Sequence, residues 1–118
     1  MDKKKVVVLL RHSPLGSVKG SEGLRHSVGL TLANNEVTAV LMDQAVWLAT
    51  PLAPELISGG EIKKHKDMLV LLKGRVLVER ESLEEQEINP SRLMPGVEVV
   101  SHENVIATLT EAEAVIPF

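Results

Sequence analysis

Val6-Val7-Val8-Leu9-Leu10-Arg11-His12-Ser13-Pro14-Leu15-Gly16-Ser17, running on from Val18 to Ala33, is the stretch on which the fold turns. Its opening apolar run is short, β-branched at the start and preceded by lysines. That is the pattern of a strand buried on both faces, as in a parallel sheet. Pro14 and Gly16 break the periodicity and predict a turn. Ser17 is expected to cap the helix that follows, with Glu22 near its positive end. Leu24, Val28 and Leu32 recur at four-residue spacing and give that helix an apolar stripe. Gly20, Gly23 and Ser27 lie among them and would let the helix approach a sheet closely, at a cost in helix propensity. Asn34-Asn35 predict its end, because asparagine tolerates the left-handed conformation.

The same alternation continues down the chain. Glu36 to Met42 reads as a second strand, ended by Asp43, and Ala45 to Ala49 as a short helical turn stopped by Pro51. Thr50 to Gly60 holds Pro51, Pro54, Gly59 and Gly60 and is the most loop-like stretch. Ile62, His65, Leu69 and Leu72 predict one face of a helix, with Lys63, Lys64, Lys66 and Asp67 on the other side and Gly74 as its C-cap. Arg75 to Val78 predicts a third strand ending at Glu79. Ser82 and Glu85 match a capping box, and Ser91 is expected to cap a further turn. Val97 to Val100 is a fourth strand. Ser101 caps a helix with Val105, Ile106 and Leu109, and Ala114 to Ile116 is a last strand. The expected architecture is therefore α/β: a single three-layer domain over residues 1–118, with a mostly parallel sheet of about five strands and helices on both faces.

The chain has 118 residues, 44% hydrophobic and 25% charged, which suits one domain with a real core. A net charge of −3, one Trp, one Phe and no Tyr give neither the charge nor the stacking platform for nucleic acid. No apolar run approaches the roughly 20 residues that span a membrane. The lysines ahead of Val6 do not make a signal peptide, because the apolar run stops at Leu10. A cytoplasmic protein is expected. With no cysteine, the chain offers no disulfide and no thiol chemistry of its own.

In open α/β sheets ligands bind beyond the carboxyl ends of the strands. His12, Ser13, Gly16 and Ser17 follow the first strand there, and a helix N-terminus offers N–H groups to an anion. Asp43 and Glu79 end the second and third strands, so their side chains could share that edge with His12. These six residues are the candidate ligand-binding set. Histidine titrates near neutral pH, which suits His12 to a polar role. His65 is expected to pack, while His26 and His102 are expected on solvated helical surface. Trp47 either covers the edge, enters a subunit contact or packs in the core. No dinucleotide fingerprint, P-loop, nucleophile elbow or HExxH pair occurs, and no cofactor or metal is expected.

Pro14-Leu15-Gly16-Ser17, followed by Glu22-Gly23-Leu24-Arg25 and Gly29-Leu30, resembles the first strand–helix unit of the DsrE/DsrF-like (TusC/TusD-like) sulfur-relay family. Asp43-Gln44-Ala45-Val46 is similar to the acidic residue and small pair after the family's second strand. Val78 to Ile88 stands where the family has its third strand and following helix, without the Arg-Gly pair. Val115-Ile116-Pro117-Phe118 resembles the closing strand. The resemblance implies a domain that assembles into trimers or hexamers, alone or with DsrE-like subunits, and meets a sulfur-carrier protein. It also implies that Glu79 holds the position of the cysteine that carries persulfide sulfur in other members. A carboxylate cannot hold a persulfide, since the carrier is a thiolate. The expected role is then a cysteine-free partner or structural subunit with no catalytic residue and no sulfurtransferase activity of its own. The alternative is a phosphate-, nucleotide- or other small-molecule-binding domain that uses the first strand–helix loop.

Overall fold

The computed structural model describes residues 3–15, 18–51 and 62–118. Its strands are β1 (Lys4–Leu10), β2 (Asn35–Leu41), β3 (Arg75–Glu79), β4 (Glu98–Val100) and β5 (Ala114–Pro117). The helices are α1 (Lys19–Leu32), α2 (Ile62–Leu71), α3 (Arg80–Glu85) and α4 (His102–Glu111), with short 3-10 segments at Asp43–Ala49 and Pro90–Arg92. All pairings are parallel, in the order β4-β3-β2-β1-β5. Each parallel step needs a crossover, so the helices fall on the two faces and the expected three-layer α/β body results. The sequence left the strand order open; β1 proves to lie between β2 and β5.

Period-two alternation sorts the side chains between the faces. Val8, Leu10, Val37, Ala39, Leu41, Val76 and Val78 point into the larger core, where they meet Leu24 of α1, Leu69 of α2 and Leu83 of α3. Val7, Val40 and Leu77 point the other way and meet Val105 of α4. Burying one such side chain completely contributes about 1.5–3 kcal/mol. The continuous run Val6–Val8 is thus a strand buried on both faces.

Several helix details depart from what the sequence predicts. In α1, Leu24 is buried and Val28 half-buried, but Leu32 stands 71% exposed, because each four-residue step drifts about 40° around a helix of 3.6 residues per turn. Gly23 is the close-approach residue: a Cβ there would lie 2.9 Å from a Leu10 methyl carbon. Asn34 takes the left-handed conformation that ends the helix, with φ 67°. The α2 stop is a Schellman arrangement: the Lys73 N–H bonds Val70 O at 3.0 Å and the Gly74 N–H bonds Leu69 O at 2.9 Å. The left-handed residue is Lys73, at φ 68°, and not Gly74. Glycine is required at 74 because a Cβ would collide with Leu69.

Lys66 is the largest correction. Its place in the helical pattern puts it with the polar side, yet its side chain is 4% exposed. The ammonium bonds the Pro95 carbonyl at 2.7 Å and the Asp67 carboxylate, so α2 is fastened to the segment before β4. The capping box at Ser82 is also absent: Ser82 lies inside α3, whose N-cap position falls on Glu79. Nor does Ser91 cap a turn. Asn89 does, accepting the Ser91 N–H at 2.9 Å. Ser101 caps α4 as expected, through Asn104 N–H at 3.2 Å. The N-cap position of α1 falls on Val18, without a side-chain cap bond; Ser17, the expected cap, and the Thr50–Gly60 loop from 52 onward lie outside the described residues.

Candidate functional site

Register sets Leu10 of β1 beside Leu41 of β2, and Leu41 beside Val78 of β3. The residues just past them therefore share the carboxyl edge of the sheet. At that edge Asp43 adopts φ 53°, a left-handed conformation that Asp tolerates better than most side chains. Its carboxylate accepts the Arg11 Nε–H at 2.7 Å across β1 and β2, with the Arg11 side chain exposed and that of Asp43 partly so. Its backbone N–H donates to Ser82 Oγ at 2.8 Å.

From Ser82 the bonding continues inward. The Ser82 hydroxyl donates to Glu79 Oε1 at 2.5 Å, and Glu79 Oε2 lies 2.8 Å from His102 Nδ1. Because Val76 and Val78 face the larger core, Glu79 faces the α4 side, where His102 begins the helix. The Glu79 side chain is only 6% exposed and that of His102 is 52% exposed. Burying a carboxylate is costly unless donors meet it; here one donor reaches each oxygen.

These bonds also place the protons. Ser82 Oγ accepts a hydrogen bond from the Asp43 N–H and donates its own hydroxyl hydrogen bond to Glu79, so Glu79 Oε1 is an acceptor. With Oε2 also accepting, His102 carries its proton on Nδ1, and Nε2 holds the lone pair whenever the ring is neutral. Hydrogen bonding to Glu79 raises the His102 pKa above its ordinary value; partial desolvation opposes this, and the charges of Glu79, Glu81 and Glu103 add to it. Glu81 accepts the His102 backbone N–H on both oxygens at 3.0 Å. That bond is the main reason its carboxyl titrates below the ordinary range.

The six expected residues do not form one group. Asp43 and Glu79 are joined through Ser82. His12 is exposed, and Ser13 accepts the Leu15 N–H at 3.2 Å in a local turn. Gly16 and Ser17 lie outside the described residues. Trp47 packs against the larger core, with its indole N–H 3.1 Å from Gln86 Oε1 and the Arg92 guanidinium 5.9 Å above its ring. His26 lies 5.7 Å from the Phe118 ring beside an open hollow of about 580 Å³. Among the described residues no three His, Asp or Glu side chains are grouped to hold a metal ion.

Two members of the bonded chain escape a sequence reading. Ser82 looks like a helix cap, and only its i, i+3 spacing from Glu79 hints that it serves the strand end. His102 looks like helix surface; its partner follows from β4 lying next to β3, which the sequence does not specify.

An all-parallel sheet with helices on both faces and a polar carboxyl edge defines a small α/β domain. The sequence profile of the DsrE/DsrF-like family matches residues 4–118, and the chain belongs to that family, which is associated with sulfur relay. Two solved structures share the fold. The YchN protein of E. coli is similar at TM-score 0.86 and 22% identity, over 98% of this chain and 99% of that one. MTH1491 of Methanobacterium thermoautotrophicum, a protein of unknown function, is similar at TM-score 0.74 and 18% identity, over 99% of this chain and all of the other. No curated protein sequence matches the chain.

Proposed function

We propose that this chain is a non-carrying member of its family: a partner or structural subunit of an oligomer linked to intracellular sulfur transfer. One observation carries the reading. Carrying sulfur as a persulfide needs a thiolate, and the sequence contains no cysteine. Glu79, which the family resemblance sets against the carrier cysteine, is a buried carboxylate with both oxygens already engaged.

Assembly is supported by apolar side chains on the α4 side of the sheet. Val115 of β5 points to that side, in register with Val7, and is 41% exposed; Ile106 of α4 is 47% exposed. Leu9 and Met42 are half-buried against the same small cluster, and exposed apolar side chains of this kind suit contact with another subunit. Light scattering at micromolar concentration tests the oligomer: a trimer or hexamer is expected, and a clean monomer counts against it. Ile106→Lys should lower the mass while leaving the far-ultraviolet spectrum unchanged. Co-expression with cysteine-bearing family members tests the partner role, and failure of every one to co-purify would remove it. A cytoplasmic setting goes with this proposal; among the described residues no helix is long and apolar enough to cross a membrane.

A further inference from the structure

We infer that the hollow beside α1 is a binding site for a free aromatic amino acid, or a zwitterion of the same shape. Its lining is Glu22, Arg25, His26, Gly29, Leu30 and Phe118, and its volume of about 580 Å³ lies within the range of small-molecule sites. It is separate from the carboxyl-edge network and goes beyond the subunit role proposed above.

Three features of this hollow look outward from the chain. Gly29 is the first. A glycine inside a helix is destabilising relative to alanine. At Gly20 and Gly23 a Cβ would press on Leu48 and Leu10, so packing calls for glycine there, but at Gly29 a Cβ would meet nothing within 4 Å. No neighbour in the chain requires Gly29, whereas a flat ligand lying on the backbone of α1 would. The second is an unformed ion pair. Glu22 and Arg25 are three residues apart on one helix, where opposite charges ordinarily meet. Among the described residues neither side chain has a hydrogen-bonded or ionic partner. The third is Phe118, the residue after the edge strand β5. Its N–H bonds Leu9 O at 2.8 Å, its ring lies 5.7 Å from that of His26, and it is only half-buried.

The lining selects the ligand by its charges and its shape together. A bare anion would be opposed by Glu22 and a bare cation by Arg25. A carboxylate and an ammonium carried side by side satisfy both. The Arg25 guanidinium donates to the carboxylate, and His26 offers it an N–H in either protonation state. Glu22 accepts from the ammonium. Gly29 and Leu30 follow one turn later, about 6 Å along the axis of α1. That is where the ring attached to the charged end falls, flat on Gly29 and against Leu30 and Phe118.

Nitrogen-15 NMR titration of the full chain with L-tryptophan tests the site. The amides of Arg25 to Leu30 and of Phe118 should shift. N-acetyl-L-tryptophan lacks the ammonium, tryptamine the carboxylate and L-alanine the ring, and each should bind about tenfold more weakly or worse. Arg25→Gln should weaken tryptophan about tenfold, and Glu22→Gln should erase its preference over the N-acetyl compound. Gly29→Leu should fill the hollow and abolish binding without lowering the thermal midpoint, since its side chain points into open space. No shift at millimolar tryptophan, equal binding of any of the three controls, or unaltered binding by Gly29→Leu overturns the inference. If Gly29→Leu instead lowers the mass in light scattering, another subunit covers the hollow; the inference then falls while the subunit role stands.

Discussion

One face of the sheet is covered by α1, α2, α3 and the turn at Asp43–Ala49; the other is covered by α4. Among the described residues the first face builds a core of sixteen buried apolar residues, and the second a cluster of four. The polar network of Asp43, Ser82, Glu79 and His102 reaches from the strand ends toward the thin side. The difference separates two tasks. The thick face holds the domain together, whereas the thin one leaves apolar surface and a bonded histidine within reach of another molecule.

The largest expected effect breaks the thick face. Leu24→Ala empties a site only 1% exposed and should cost about 3 kcal/mol in urea unfolding. Val105→Ala, the matching cut on the thin face, removes two methyl groups and should cost roughly 2 kcal/mol or less. Equal losses would mean that the faces contribute alike.

Next comes the polar network. Glu79→Ala leaves the Ser82 hydroxyl and His102 Nδ1 without their acceptor, and about 2 kcal/mol should be lost. The accompanying pH dependence has a definite sign. A raised folded pKa means that the His102 contribution is complete below about 6.5, its unfolded value, and disappears as pH rises through the folded value. Unfolding midpoints between pH 5 and 9 should show that decline, and His102→Gln should flatten it. Glu81 behaves oppositely: its folded pKa is lowered, so its contribution is lost as pH falls through that value.

Smaller effects sharpen the contrast within α1. Gly29 has nothing within 4 Å of a Cβ, so Gly29→Ala should stabilise by roughly 0.5–1 kcal/mol through helix propensity. Gly23→Ala should destabilise by about 1 kcal/mol, because the new methyl meets Leu10. Thermal unfolding of the pair reads both signs at once. The smallest effect belongs to Arg75→Ala. Its bidentate pair with Glu98, at 3.0 and 2.9 Å, joins β3 to β4 but is about half exposed. A loss under about 1 kcal/mol is expected, shrinking further in salt.

The elements that the sequence announces are those with local causes. A β-branched run makes β1, four-residue spacing makes α1, Asn34 ends it, and Ser101 starts α4. The misread residues owe their states to partners far along the chain. Lys66 is buried because Pro95 offers a carbonyl; Ser82 is turned from cap to bridge by Glu79 and Asp43. His102 is held only because β4 lies against β3. The edge carrying Asp43 and Glu79 was therefore visible in outline, while the bonds that join it required the strand order.

Lys66 also has a practical consequence. An amine enclosed between Pro95 O and Asp67 is shielded from acylating reagents that reach the lysines on the surface. Its acetylation rate would report how often α2 lifts away from the segment preceding β4, giving the molecule a built-in clock for local opening that needs no added label.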